Sequence, residues 1–372
     1  MKRKALIVLT SLMTVLFACS AGGGKPLTTV TQETANPSEP ETIQRREELC
    51  FRFICENLLQ ADGGVRTNFL DKSKNDELAT GAQVLSESMG LWMLYAAETK
   101  NKTLFDRSLA YVKSQLDTEG ILSYRYAPPE GAYPVNAFLD DMRIIRSLLL
   151  ADDAFGDGYE ETALAYANRL YQTNITQNRV LDFYDAQSGA AGDFVTLCYS
   201  DFNTIRNLAG HDEKWQAVYD EMLGIIKGGY LGDGFPMYAG TYYYNEGAYS
   251  ANDISTVQSL LTVLNLALIG ESSQSSIDFI RRNTERGTLY GSYSTNGKAK
   301  NNVESTAIYA ICADIGKAVG DDELYEAAIA QMNRFQVLDE NSKVFGAFAN
   351  AQTLDLYAFD NLMALLAYRD LA

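Results

Sequence analysis

The residues of this chain that are best suited to acid–base chemistry lie in the octapeptide Ser86-Glu87-Ser88-Met89-Gly90-Leu91-Trp92-Met93. It places one carboxyl group, Glu87, at the start of a predicted helix, beside apolar and aromatic residues. Ser86 is expected to cap that helix, and Gly90 lets another helix or a ligand approach closely. A carboxyl group against apolar walls is poorly solvated, so its pKa rises, as a general acid requires near neutral pH. The alternative is that Glu87 only complements the helix dipole.

The elements that must position this group are helical, because apolar residues recur with helical spacing almost throughout. The predicted helices span residues 43–60, 83–99, 102–116, 137–153, 158–173, 196–209, 213–227, 252–270, 273–286, 303–318, 321–335 and 353–370. They form six pairs, separated by short Gly/Tyr segments at intervals of about fifty to sixty residues, a length typical of a repeated unit. Six such hairpins can stack as a solenoid or close into a ring. We assign the more apolar even-numbered helices to an inner ring, which predicts an all-α (α/α)6 toroid.

Polar or acidic groups are predicted to begin each inner helix, and parallel inner helices would bring all of them to one mouth of the ring. These groups are Glu87, Asp140 and Asp141, Tyr199 and Asp201, Asn252 and Asp253, Glu304, and Asp355. Tyr-rich linkers surround the same mouth, and a cleft with carboxylates and aromatic faces suits carbohydrate. Acids are common at helix starts, which explains part of the pattern but not the 23 tyrosines.

Five segments, in order along the chain, resemble glycoside hydrolase family 8. Residues 86–93 resemble the family's acid segment S-E-G-x-G-Y-G-M, and residues 137–151 resemble its signature A-S/T-D-A/G-D-x-x-I-A-x-S-L-L-x-A. In that signature Asp141 matches the second aspartate, Asp140 fills the small-residue position, and Leu139 replaces the first aspartate.

The other three segments are residues 198–206, 234–239 and 251–254, and the last resembles the Y-D-A-I segment that carries the family's catalytic base. The arginine that usually follows the base is absent here. The resemblance covers about residues 80–270 and extends to the remainder by architecture alone.

The resemblance implies an inverting, endo-acting hydrolase of a β-1,4-linked polysaccharide such as glucan, xylan or chitosan, with no cofactor and no metal ion. Glu87 would protonate the leaving oxygen and Asp253 would take a proton from water, across a gap of about 6.5–9.5 Å. Asp141 would hold the central sugar in a distorted ring. The further substrate contacts that the resemblance implies are Asp140, Tyr199, Asp201 and the stacking rings of Trp92 and Tyr238.

The first residues predict export and lipidation. A positively charged region at residues 2–4 precedes a short apolar core at 5–17, and residues 16–19 resemble a bacterial lipobox in which Cys19 is lipidated. This predicts a signal peptide at 1–18, a flexible tether at 19–42 and one catalytic domain at 43–372. The protein would be extracytoplasmic and held on a bacterial membrane by its lipid alone. The alternative is ordinary secretion with cleavage nearby.

The composition of the chain limits the classes of molecule that it is expected to bind. The net charge is −17, or about −20 without the three basic residues of the signal, which disfavours nucleic acid and anionic polymers and favours a neutral or cationic polysaccharide. The sequence holds one histidine, His211, and scattered cysteines, so a zinc cluster and a His-based triad are not expected. A monomer is expected.

Three rival hypotheses remain open at the level of sequence. A catalytically degenerate member of the family would bind an exopolysaccharide without cleaving it, as the departures at Leu139 and after Asp253 favour. Another (α/α)6 enzyme, such as a uronyl hydrolase or a polysaccharide lyase, is disfavoured by the acidity of the chain. A structural helical-repeat protein is the third hypothesis.

Overall fold

The computed structural model describes residues 40–71, 79–118 and 120–369. Within these ranges the chain forms twelve α-helices that alternate between two layers. The outer helices are α1 Pro40–Asn57, α3 Lys102–Tyr111, α5 Tyr159–Asn174, α7 Lys214–Gly228, α9 Gln274–Arg286 and α11 Asp322–Asn333. The inner helices are α2 Ser86–Glu98, α4 Phe138–Phe155, α6 Phe202–His211, α8 Thr256–Ala267, α10 Thr306–Val319 and α12 Ala358–Ala367.

The inner helices close into a ring. Helix α2 packs on α4, α6 lies between α4 and α8, α10 packs on α8 and α12, and α12 returns to α2. Each outer helix packs against an inner helix next to it in the chain or across the closure, as α5 does on α4 and α1 on α12. Because the first and last inner helices touch, the solenoid is excluded. The predicted (α/α)6 toroid is confirmed.

Short antiparallel strands join the helices. Two sheets have three strands, in the orders β1-β4-β5 and β10-β11-β12, and the pairs β2-β3, β6-β7, β8-β9 and β13-β14 are hairpins or bridges. The strands are β1 Val84–Leu85, β2 Asp117–Thr118, β3 Ile121–Leu122, β4 Arg125–Ala127, β5 Gly131–Ala132, β6 Ile175–Thr176, β7 Arg179–Val180, β8 Tyr184–Asp185, β9 Ala190–Ala191, β10 Phe194–Thr196, β11 Thr241–Tyr243, β12 Ala248–Tyr249, β13 Ile254–Ser255 and β14 Ser292–Tyr293. Strands β1 and β13 end directly before α2 and α8, so pairing between linkers fixes where these inner helices begin.

Five inner helices begin at least three residues later than predicted, which corrects the predicted bounds. Helices α2, α6, α8, α10 and α12 were expected from residues 83, 196, 252, 303 and 353 and begin at Ser86, Phe202, Thr256, Thr306 and Ala358. The residues before them have extended backbone or form a short 3₁₀ turn, because they pair with neighbouring linkers. Asp253, Glu304 and Asp355 therefore precede their helices instead of opening them.

A second, smaller core lies among the linkers at the start of the inner helices. It packs Leu85 and Ala137, which directly precede α2 and α4, against Tyr124, Phe183 and Phe194. The main core fills the space between the two helical layers. Burial of Leu85 and Ala137 holds the first turns of α2 and α4 in register with each other.

The predicted signal peptide, the lipidation residue Cys19 and most of the predicted tether lie outside the described residues. Helix α1 begins at Pro40, inside the stretch assigned to the tether. No helix in the described ranges has both the length and the hydropathy of a membrane span.

Candidate active site

Glu87 is the second residue of α2, and its carboxyl group is buried at the mouth of the ring, with the residue 5% exposed. The Nη1 atom of Arg143, on α4, lies 3.3 Å from Oε2 of Glu87. Burial raises the pKa of Glu87 to about 7; Arg143 opposes the rise, and Asp140 and Asp360 add to it. At neutral pH a large fraction of Glu87 is therefore protonated, as a general acid requires.

Asp140, the third residue of α4, faces Glu87 and is held by two side chains. Its Oδ1 accepts from Arg143 at 2.9 Å, and its Oδ2 accepts from the hydroxyl of Ser86 at 3.1 Å. Burial raises its pKa, although Arg143, Ser86 and the backbone N–H of Glu87 each act to lower it. Arg143 thus bridges two buried carboxyl groups, so neither is left without a counter-charge.

Ser86 does not cap α2, contrary to the sequence prediction. The N-cap position is Leu85, which has no capping side chain, and Ser86 is already in the first turn. Its hydroxyl instead donates to Asp140 and to the carbonyl of Tyr124. The local sequence could not reveal this, because both partners come from other linkers and helices.

Asp141 follows Asp140 in the first turn of α4. It is buried, and its Oδ2 accepts from the amide of Asn136, which also bonds Asn174 at the end of α5. Burial raises the pKa of Asp141 well above its usual value, and Asn136 opposes this rise. Asp140 is the residue of the pair that shares Arg143 with Glu87, and the role of Asp141 in holding a sugar ring stays a prediction.

Tyr199 and Asp201 lie on the segment that leads into α6. Tyr199 is buried close to Asp182, Asp140 and Glu87, and burial, then the charges of these acids, raises its pKa well above the usual value. Asp201 is the N-cap of α6, where its two oxygens accept from the backbone N–H and the hydroxyl of Thr204 at 3.0 and 2.7 Å. Asp201 is thus occupied in stabilising the helix start.

Asp253, the predicted base, lies on the linker before β13. Its side chain is 52% exposed, and its Oδ2 lies 3.2 Å from Nζ of Lys300. Asn252 beside it is also exposed. This linker leads into helix α8, which stands across the ring from α2. The role of Asp253 stays a prediction.

Trp92 and Tyr238 do not offer sugar-stacking faces, which corrects two predicted contacts. Trp92 is fully buried, and its ring stacks on Phe51 and Tyr95 at centroid distances of 5.7 and 5.8 Å. Tyr238 is 3% exposed and packs against Tyr230. Both side chains belong to the core between the helical layers.

Two groups at the mouth were missed from the sequence. The partly buried rings of Tyr133 and Tyr243 pack on the second core and present aromatic surface beside the starts of α2 and α4. Asp360, the third residue of α12, accepts from the backbone N–H of Ala307 at 2.9 Å. Asp360 lies within an apolar helical pattern, and the sequence predicted Asp355, five residues earlier, as the acid that begins this helix. Local spacing therefore gave no indication that Asp360 lies at the mouth.

Among the described residues, no cluster of three His, Cys, Asp or Glu side chains is arranged to hold a metal ion. The side chains at the mouth that are suited to acid–base chemistry include the carboxyl groups of Glu87 and Asp140 and the guanidinium of Arg143. A protonated, buried carboxyl beside ionisable ones can donate a proton to a leaving group while another carboxylate accepts one from water. This is the arrangement that glycoside hydrolysis requires.

No protein-family model matches the chain. A curated relative from Bacillus subtilis (strain 168), named as the lipoprotein YdaJ, is 27% identical over 368 residues, which is 96% of each chain. The likeness thus extends over nearly the full length of both proteins.

Solved structures share the fold. A protein described as a novel α-amylase from Clostridium perfringens is 33% identical, covers 87% of this chain and 96% of its own, and superposes with a TM-score of 0.82. A family 8 xylanase from Teredinibacter turnerae is 14% identical, with coverage of 94% and 97% and a TM-score of 0.66. The resemblance to glycoside hydrolase family 8 is thereby confirmed at the level of the fold.

Proposed function

The chain belongs to the glycoside hydrolase family of the Clostridium perfringens α-amylase and has the fold of family 8, and we propose that it cleaves internal bonds of a polysaccharide by an inverting mechanism. The observation that carries the proposal is Glu87, a carboxyl group buried at the mouth of the toroid with its pKa raised to about 7 by burial. Its place at the start of α2 is also the one that the family motif gives to the acid.

Glu87 acts as the general acid and gives its proton to the oxygen of the leaving sugar. Asp140 and Arg143 hold it on one side, and their mutual ion pair keeps the local charge near balance. A second carboxylate takes a proton from the water that attacks the opposite face of the sugar. The family match gives this second role to Asp253.

The proposed substrate is a neutral or cationic polysaccharide with β-1,4-type linkages, as the family 8 motifs imply. The Clostridium perfringens relative is called an α-amylase and is more similar in sequence than the xylanase, which favours an α-1,4-glucan as a second candidate. Reducing-sugar assays on soluble β-glucan, xylan, chitosan and amylose distinguish the two.

The proposed location is the outer face of a bacterial membrane, with Cys19 as the lipidated residue. The lipobox-like residues 16–19 and the lipoprotein name of the Bacillus subtilis relative support it. The variant Cys19→Ala should move from the membrane fraction to the soluble fraction after export. Unchanged membrane partitioning of that variant would count against the anchor.

The decisive test of the function is Glu87→Gln, because glutamine is nearly isosteric but carries no acidic proton. The variant should keep its thermal midpoint and lose about 10²–10⁴-fold in hydrolysis of the best polymer. Glu221→Gln on the outer helix α7 is the matched control and should keep full activity. Proton NMR of the first-formed anomer tests inversion.

A degenerate, binding-only protein is the alternative. In that case the wild type would release no reducing ends from any of the four polymers, yet would bind one of them in affinity electrophoresis. Hydrolysis by wild type that disappears in Glu87→Gln excludes this alternative.

A further inference from the structure

A carboxyl group that has not been assigned any role lies beside Glu87. Asp360 opens α12, the inner helix that packs on α2, and it occupies the third position of its helix as Asp140 does in α4. Its charge is close enough to contribute to the pKa of Glu87. The mouth of the ring therefore presents Glu87 between two acids, one on each neighbouring inner helix.

Asp360 and Asp140 each accept a hydrogen bond from the start of the preceding inner helix, but they differ in what surrounds them. Asp140 lies against the start of α2, and Asp360 accepts from Ala307 at the start of α10. Three residues after Asp140 comes Arg143, which forms an ion pair with it, whereas three residues after Asp360 comes the apolar Met363. Among the residues that the structure describes, no cation contributes to the pKa of Asp360, and only one of its two oxygens accepts a hydrogen bond.

The other acids at the mouth are occupied or turned away. Both oxygens of Asp140 are engaged by Arg143 and Ser86, and both oxygens of Asp201 are engaged by Thr204. A carboxylate oxygen that accepts no hydrogen bond from the protein has both of its lone pairs open to water. Neither Asp140 nor Asp201 offers one without breaking a buried contact.

Two further acids, Glu304 and Asp253, are held elsewhere. Glu304 is turned towards the end of α11, where Arg334 lies 3.4 Å away and the hydroxyl of Tyr309 donates to it. Asp253 is exposed and paired with Lys300, outside a desolvated pocket. In the part of the chain that the structure describes, Asp360 combines partial burial, a place beside Glu87 and an oxygen without a donor.

Helix packing also favours Asp360. Helix α12 packs directly on α2, and Glu87 and Asp360 lie in the first turns of these two helices, so both carboxyl groups are at the same mouth of the ring.

We infer that Asp360 is the general base of the proposed hydrolysis, an inference that rests on the proposed function. Water attacks the anomeric carbon and gives one proton to the free oxygen of Asp360 as the new C–O bond forms. The glycosidic C–O bond breaks, and its electron pair takes the proton of Glu87. Solvent then returns one proton from Asp360 to Glu87, so the cycle consumes one water. Burial raises the pKa of Asp360 to about 6, which leaves it ionised at neutral pH and basic enough to act.

The test compares Asp360→Asn, Asp253→Asn and Glu87→Gln on the polymer that wild type hydrolyses best among β-glucan, xylan, chitosan and amylose. Asparagine still accepts from Ala307, so the thermal midpoint of Asp360→Asn should change little. Its kcat should fall about 10²-fold or more with KM within a few-fold, and the acidic limb of its pH profile should disappear. Asp360→Ser, which keeps an acceptor oxygen but no base, is the second variant.

A 2,4-dinitrophenyl glycoside of the same sugar separates a base from a structural role. Its leaving group needs no proton, so Glu87→Gln should recover activity on it while Asp360→Asn stays slow. Asp321→Asn, the same substitution at the N-cap of outer helix α11, is the control and should keep wild-type kcat.

Each outcome is decisive. If Asp253→Asn abolishes turnover and Asp360→Asn retains it, Asp360 is not the base and the hydrolase function stands. If Asp360→Asn recovers on the activated substrate as Glu87→Gln does, Asp360 is not the base either. If wild type hydrolyses none of the polymers, the proposed function fails and the role of Asp360 fails with it.

Discussion

At the scale of single residues, Arg143 decides how the mouth is charged. Its guanidinium contacts Glu87 and Asp140 and is itself buried, and Gly90 leaves the space that this approach requires. Burial of Glu87 favours the protonated form, and Arg143 partly opposes it. The proton of the acid therefore depends on a balance between burial and one neighbouring cation.

Arg143→Gln removes that cation and should raise the pKa of Glu87. The groups that face Glu87 would then be Asp140 and Asp360, both of which raise its pKa further when ionised. Because the acid works in its protonated form, the alkaline limb of kcat/KM, near pH 7 in wild type, should move up by about one unit or more. At pH 6, kcat should fall about tenfold or more, since Glu87 loses its positioning contact. If the alkaline limb of the variant stays at the pH of wild type, Arg143 does not set the pKa of the general acid.

The sequence predicted the residues of the site only where neighbouring residues in the chain determine their environment. Glu87 followed from eight consecutive residues, because the helix start, the apolar surroundings and the carboxyl group are all encoded there. The partners Asp140 and Asp360 depend on which helices touch across the ring, and no spacing within one helix specifies that. The stacking role of Trp92 failed for the same reason, because Phe51 of α1 covers its ring.

At the scale of elements, an aspartate of the next inner helix joins the first turns in two pairs of inner helices, α2 with α4 and α10 with α12. Asp140 of α4 receives the hydroxyl of Ser86 in α2, and Asp360 of α12 receives the N–H of Ala307 in α10. A helix start has backbone N–H groups without partners inside the helix. A carboxylate from the neighbour satisfies such a group and fixes the relative height of two helices, which is what aligns acids at one mouth.

Gly90→Ala tests how closely α2 and α4 must approach. A Cβ atom at Gly90 would lie 2.7 Å from Cβ of Arg143, so α4 must move away. Overpacking of this kind costs about 1–3 kcal/mol, and the shift should also weaken the contact between Arg143 and Glu87. We expect a lower thermal midpoint and a lower kcat.

Gly224→Ala in the outer helix α7 is the matched control. A Cβ there meets no atom within 4 Å, so the variant should be as stable as wild type or more stable, by up to about 1 kcal/mol. Equal effects of the two variants would mean that helix propensity, and not the α2–α4 contact, determines the result.

The outer helices could be predicted closely because their caps are encoded nearby. Asn101 and Asp321 accept from residues three positions later and start α3 and α11 within one residue of the prediction. The inner helices α8 and α12 were predicted too long, since apolar residues before them belong to strand pairs and bridges. Those pairs join segments that are far apart in the chain, and the helical spacing of apolar residues within one segment cannot predict them.

At the scale of the whole molecule, closing the ring buries charge in its interior, away from the mouth. Asp314 of α10 is 5% exposed, and Arg146 of α4 and Lys317 of α10 are the cations that act on it. Glu98 at the end of α2 lies near the same groups. Burial raises the pKa of both acids to about 7 in spite of these cations, so desolvation outweighs attraction.

The fold should therefore lose stability as these interior acids ionise. An acid whose pKa is about 7 in the folded state and about 4 in the unfolded state stabilises the fold fully below about pH 4, and this contribution is lost as the pH rises through 7. Asp314→Asn mimics the protonated form at every pH. We expect its thermal midpoint to exceed that of wild type at pH 8.5 by a few degrees and at pH 5 by a smaller amount, because the folded forms of both proteins carry a neutral group at pH 5.

Asp212→Asn provides the opposite case, because its pKa is lowered by Lys214 at an exposed site. It should not gain stability at pH 8.5. Scanning calorimetry of the three proteins at pH 5 and 8.5 measures the difference directly. If Asp314→Asn were less stable than wild type at pH 8.5, attraction to Arg146 and Lys317 would outweigh burial, and the interior charges would be a source of stability of the toroid instead of a cost of closing it.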